Sequence, residues 1–245
     1  MYHTTRLLIV CLLATLSPAQ TVSYDVATIK YRKGPINFSA DPVIRGRAVT
    51  GIALTVRDLL TYAYAVRYDQ LSGGPSWAAD DHYDILAKSE GEGTLTLAQS
   101  RQMMQALLAE RFHLQIHRET QEVPVYALVV GNNGPKLTPA TETTGCYSVR
   151  GDDKGLRMEA RCGTMDQVAR QLAGTAGRFV VDKTGLTGRY AFTLVWWPAN
   201  RIPPPDSDAP SMFKAVEEQL GLKLESGRGP IEMLLIDHVE KPTDN

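Results

Sequence analysis

A helix signal followed by two strand-like runs recurs four times along the chain, and this recurrence restricts the fold more than any single residue does. Three of the helix starts share one pattern: Thr, an apolar residue, any residue, then Asp or Gln. They are Thr55-Val56-Arg57-Asp58, Thr96-Leu97-Ala98-Gln99 and Thr164-Met165-Asp166-Gln167. A Thr hydroxyl at such a start accepts from the backbone N–H three residues on, while the side chain at that position reaches back. Asp is a shorter partner than Glu or Gln, so the first box is expected to be the weakest. Behind the first and third caps the apolar residues fall at helical spacing: Val56, Leu59, Leu60 and Ala63, then Met165, Val168, Ala169 and Leu172. The second helix continues through Met104, Leu107 and Leu108 to Phe112. A fourth, 211–220, is expected to bury Phe213, Val216 and Leu220 before Gly221 stops it.

Each helix precedes two runs that read as a hairpin around a Gly- or Pro-bearing or polar loop. The pairs are 70–72 with 82–88, 113–119 with 123–130, 179–181 with 189–196, and 222–225 with 231–239. Residues 24–31, 47–52 and 156–161 add strands ahead of the helices. Helices alternating with hairpins predict an α+β fold of duplicated helix-plus-hairpin (αββ) units with mixed or antiparallel sheets. Thr55 and Thr164, Met103 and Met212, and Ala106 and Ala215 are separated by one and the same interval. A first half over 20–138 and a second over 139–245 are therefore expected, either as two domains or as one pseudo-symmetric domain. The seam falls in 131–145, rich in Gly, Asn, Pro and Thr, and a second, Pro-rich link covers 198–210.

Residues 1–19 read as a cleaved secretory signal: Arg6, an apolar run over 7–16, then Ser17-Pro18-Ala19. The run is shorter than the roughly 18 apolar residues that cross a bilayer. The mature chain is expected to carry no membrane span and to work in the periplasm or outside the cell. Cys11 leaves with the signal, so only Cys146 and Cys162 remain, in an oxidising compartment. The turn-rich Gly151-Asp152-Asp153-Lys154-Gly155 between strand-like flanks folds them face to face, and a disulfide is expected. The net charge of −1 argues against nucleic acid, which needs a basic footprint.

No catalytic, metal or cofactor motif stands out. His113 and His117 alternate with Leu114 and Ile116, a strand pattern that sets the two rings roughly 13 Å apart, too far to share an ion. Asp237-His238 lacks an accompanying nucleophile elbow. Asp80, Asp81 and Asp84 lack the spacing of a calcium loop and read as a charged strand edge. Trp77, Trp196 and Trp197 sit at hairpin ends, and Tyr62 lies off the apolar stripe of its helix. These four rings are the candidate contact residues, against the plainer reading that they cover core edges.

Taken together, several stretches resemble a family. They are 23–30, Leu60-Thr61-Tyr62-Ala63-Tyr64, Gly73-Gly74-Pro75-Ser76-Trp77, Tyr83-Asp84-Ile85, Leu108-Ala109-Glu110-Arg111-Phe112, His117-Arg118-Glu119, Pro124-Val125-Tyr126, 181–190, 218–224 and 236–242. The chain resembles the soil-associated extracytoplasmic proteins expanded in Acidobacteria, whose shared domain has no known function. The resemblance implies export and offers no catalytic residues. Similar domains occur fused to membrane regulators that resemble antibiotic-sensing peptidases, and this chain has no peptidase metal motif. The αββ units also look like the short domains at the front of secretins and outer-membrane receptors, an analogy of fold alone.

The expectation is thus an exported binding or interaction module that meets an envelope or extracellular protein or glycan. The alternative is a hydrolase of envelope or extracellular polymers without a motif, using Asp237-His238.

Overall fold

A computed structural model describes residues 23–34, 36, 40–142, 146–152, 155–198 and 208–243. The expected signal at 1–19 lies outside these residues, as do most of the 198–210 link and parts of the 131–145 seam and the 151–155 turn. In chain order the elements are β1 (Val26–Tyr31), β2 (Ala40–Arg45), β3 (Ala48–Leu54), α1 (Val56–Tyr64), β4 (Leu71–Gly73), α2 (Trp77–Asp80), β5 (Tyr83–Lys88), α3 (Leu97–Arg111), β6 (Gln115–Val130), β7 (Thr138–Pro139), β8 (Tyr147–Asp152), β9 (Gly155–Gly163), α4 (Met165–Ala176), β10 (Phe179–Asp182), β11 (Tyr190–Trp196), α5 (Met212–Leu220) and β12 (Leu222–His238). The fold is α+β, with three mostly antiparallel sheets. It divides into two compact units: the chain up to Arg118 together with Met233 onward, and Glu119–Glu232.

In the first unit β1, β5, β3 and β2 form an antiparallel sheet in that order. Strand alternation turns Ile29, Val49, Ile85 and Ala87 inward. Leu59 and Leu60 of α1 and Met103, Met104 and Leu108 of α3 close the core, with Phe112 beyond them. Burying one such side chain contributes about 2 kcal/mol. The end of β12 belongs here, and β4 pairs with it in parallel, Leu71 opposite Leu234 and Gly73 opposite Ile236. Gly73 has φ +74, and a Cβ there would meet the Ile236 carbonyl oxygen at 2.8 Å, so this pairing needs glycine.

In the second unit β7, β11, β9 and β8 form the corresponding sheet. Its core joins Met158 and Leu194 to Leu172 of α4 and to Val216 and Leu220 of α5. The Gln219 amide fastens α5 to β11: its oxygen accepts from the Val195 N–H at 2.9 Å and its NH2 donates to the Val195 carbonyl at 2.8 Å. β10 pairs in parallel with β6, Phe179 opposite Val125. The expected disulfide joins Cys146 to Cys162, whose Cα atoms are 4.5 Å apart. The β8–β9 register sets it up, and the N–H groups of Arg161 and Cys162 both donate to the Cys146 carbonyl.

The helices stand where the caps and stripes place them, and all three Thr boxes form. The strand pairing departs from the expected hairpins. β4 and β5 part company, because Pro75 and Ser76 lead into the one-turn helix α2, where the Ala78 N–H donates to the Pro75 carbonyl. β10 and β11 likewise join different sheets. The other two expected hairpins are the single long strands β6 and β12. Gly227 and Gly229 take no positive φ and simply continue β12, while Gly229 makes room for Val125. Phe213, expected inside, is 42% exposed; α5 instead turns Met212, Ala215, Val216 and Leu220 inward. Its ring packs edge-on against Tyr126 at 5.1 Å.

Candidate binding cleft

The sheet of the first unit ends in a cleft of about 350 Å³ lined by Ile29, Tyr31, Lys33, Asp81, Tyr83 and Lys241. Register explains the aromatic pair. Tyr31 closes β1 directly opposite Tyr83 at the start of β5, and both lie on the face that carries Ile29 and Ile85. The two rings meet edge to face, centroids 5.8 Å apart, and Tyr83 packs in turn against Phe112 at 5.5 Å. Tyr83 is buried, whereas Tyr31 is 46% exposed. Burial above all, then the nearby Asp81 carboxylate and Tyr31, push the Tyr83 hydroxyl up to about 12. It therefore stays protonated and a hydrogen-bond donor at neutral pH.

Lys241 follows β12 and is held from two sides. Its Nζ lies 2.6 Å from Asp81 Oδ2 and 5.4 Å from the centre of the Trp77 ring. Asp81 Oδ2 is shielded from water, yet the ammonium approaches outside a hydrogen-bonding angle. The contact is an ion pair by distance, and the carboxylate keeps acceptor capacity.

Glu240 anchors the same segment. Its N–H donates to the Phe112 carbonyl at 2.7 Å, and its carboxylate lies 2.8 Å from His238 Nε2 and 3.1 Å from His113 Nδ1. The hydrogen bond with His238 comes first among the causes that hold the Glu240 carboxyl below the usual carboxylate range. His113 meets Glu240 from a left-handed backbone, φ +48, just past the end of α3. Asp237 and His238, adjacent on a strand, face opposite ways and do not pair. Asp237 instead takes His117, Nδ1 lying 2.7 and 2.9 Å from its two oxygens. Among the described residues, no hydroxyl or thiol is hydrogen-bonded to His117, and no group of three His, Cys, Asp or Glu is placed to hold a metal ion.

The four candidate rings have different fates. Trp77 is half-buried beside the cleft, under Lys241. Tyr62, also in the first unit, is half-buried, with its hydroxyl 2.6 Å from Ser100 Oγ and Arg101 over its ring at 6.0 Å. Trp196 lies in the core of the second unit at 1% exposure, so it offers no contact surface, and its Nε1 has no hydrogen-bond partner among the described residues. Trp197 is half-buried and its backbone N–H donates to the Pro210 carbonyl at 2.8 Å. Sequence reasoning missed Tyr31, Lys33, Tyr83 and Lys241 as lining residues. Only the β1–β5 register and the return of the chain end to Asp81 bring them together, and local spacing carries no sign of either. Asp81, expected at a charged strand edge, is the partner of Lys241.

Residues 57–239 match a family model described as a protein of unknown function, DUF3738. No curated protein and no solved structure matches the chain.

Proposed function

The chain belongs to the DUF3738 family of proteins of unknown function, and we propose that it is an exported binding module whose first unit takes a small ligand or the tip of a larger one. The observation that carries this reading is the cleft lined by Tyr31, Lys33, Asp81, Tyr83 and Lys241, with the Trp77 ring under Lys241. It offers rings, cations and an acceptor. Lys241 is neutralised by Asp81, and Tyr83 is held protonated. Export is supported by the signal-like 1–19 and by the Cys146–Cys162 disulfide, since such bonds persist in oxidising compartments. Among the described residues, no helix is long and apolar enough to cross a membrane. The matching strand orders of two of the three four-stranded sheets, β1-β5-β3-β2 and β7-β11-β9-β8, support an internal duplication, with binding specialised in one copy.

The motif-free hydrolase reading has no Asp237-His238 pair to draw on, because Asp237 pairs with His117 and His238 with Glu240. The test of the binding reading is a thermal-shift screen of the purified protein against envelope polymers and their fragments. A ligand that binds only the folded state raises Tm, and Trp77→Ala is expected to abolish the rise. A rise of equal size in Trp77→Ala, or none with any polymer, would count against the cleft.

A further inference from the structure

We infer that the cleft of the first unit takes a pyranose bearing a single carboxylate, the uronic-acid residue of an acidic glycan. This rests on the binding reading above and names its ligand. Charge is the first argument. Among the lining residues Lys241 and Asp81 form one ion pair, so Lys33 leaves the cleft with one net positive charge. One carboxylate matches that charge. A phosphate dianion exceeds it and also has to face the Asp81 carboxylate.

Shape and hydrogen bonding narrow the class further. The exposed ring of Tyr31, set edge-on to Tyr83, gives a platform for the C–H face of a pyranose. A volume of about 350 Å³ is at the small end of ligand sites and suits one sugar residue with its bound water. A flat aromatic acid would set Asp81 and Tyr83 against an apolar ring edge and leave their polar atoms without partners. A sugar supplies hydroxyls that donate to the Asp81 carboxylate and accept from the Tyr83 hydroxyl. The wall stands before the ligand arrives: Glu240, tied to the Phe112 carbonyl, His113 and His238, fixes the segment that carries Lys241.

The test is calorimetric titration of the purified protein with D-glucuronate, D-glucose, benzoate and N-acetyl-D-alanine. Glucuronate is expected to bind best, with glucose about tenfold weaker because it lacks the charge-assisted contact. Lys33→Gln should reduce glucuronate binding to the level of glucose and leave glucose unchanged. Tyr31→Ala should weaken both sugars, and Tyr31→Phe should restore them. Lys33 and Tyr31 are exposed, so an unchanged Tm is expected to show that the fold survives. Equal affinity for glucose and glucuronate would overturn the charge argument. Tighter binding of benzoate or N-acetyl-D-alanine, lost in Lys33→Gln, would overturn the sugar while leaving the binding reading intact. Silence from all four probes would overturn the inference, and silence from the polymers as well would remove both readings.

Discussion

The two units lay four strands side by side in like order, β1-β5-β3-β2 and β7-β11-β9-β8, but secure the same corner by different chemistry. In the first unit β3 enters α1 through Ala53, held at φ +52 two residues before the capping Thr55. The Ala53 N–H donates to Asp84 Oδ1 at 2.9 Å, and Arg32 grips the Asp84 carboxylate with two bonds of 3.0 Å. In the second unit β9 enters α4 through Cys162, also two residues before its capping Thr164. There the disulfide to Cys146 replaces the carboxylate, and Arg189 donates to the Cys162 carbonyl at 3.1 Å. One corner thus depends on ionisation and the other on oxidation.

A second contrast concerns the edge strand. β1 is six residues long and ends with Tyr31 opposite Tyr83, whereas β7 has two residues and sets Pro139 opposite Tyr190. The long edge is what gives the first unit a ring pair on which to build its cleft.

The largest effect should separate the two tryptophans. Trp196→Ala is expected to cost about 4 kcal/mol by emptying a buried site and to leave ligand affinity intact in the protein that remains folded. Trp77→Ala should do the reverse. Denaturant titration beside ligand titration reads both, and a Trp196 variant that loses binding without losing stability would break the contrast.

Next in size is the disulfide. Replacing Cys146 and Cys162 together by Ser should cost about 3 kcal/mol in the chain-entropy account and raise amide exchange in β8 and β9. If reductant leaves the denaturation midpoint unmoved, the covalent corner is not what secures that end of the sheet.

The ionic corner should matter less. Asp84→Asn is expected to cost about 1 kcal/mol, a value held down by solvent screening at a side chain that is 40% exposed. Hydrogen bonding from Arg32 is the first cause that holds the Asp84 carboxyl below its ordinary range. A depressed carboxyl contributes stability above the unfolded-state value and loses it as pH falls through the folded-state value. Wild type should therefore lose stability faster than Asp84→Asn on acidification through and below the ordinary carboxylate range. Parallel pH profiles would remove the ionic account.

Smallest is the difference between the caps. The Asp58 box, expected to be the weaker, has bonds of 2.9 and 3.1 Å, against 3.0 and 3.3 Å for the Gln167 box. Its Thr55 hydroxyl also donates to Asp58 at 2.7 Å. Thr55→Ala should cost about 1 kcal/mol and Thr164→Ala roughly half of that, as read by thermal denaturation. The opposite order would return the shorter Asp partner to the weaker place.

What could be read from the sequence was local. Thr caps, stripes such as Val56-Leu59-Leu60-Ala63, and the turn that faces Cys146 to Cys162 all depend on residues within 16 positions of one another. Pairing was not local. Gly73-Gly74-Pro75 looks like a hairpin turn until Ile236 is seen to occupy the space beside Gly73. Residues 120–122 and 227–230 contain turn formers or polar residues, yet they continue the long strands β6 and β12. Of the four rings chosen for a contact surface, Trp77 borders the cleft. Trp196 follows the plainer reading and is buried in the core, a difference hydrophobicity alone does not reveal. Lys241 joins Asp81 from the far end of the chain, a contact no spacing rule reports.

The most direct check is chemical-shift mapping of the amides of the purified protein during titration with D-glucuronate. The account predicts changes centred on Tyr31, Lys33, Trp77, Asp81 and Lys241, saturating together. Changes centred instead on β8, β9 and β11, or a spectrum that does not move, would contradict it.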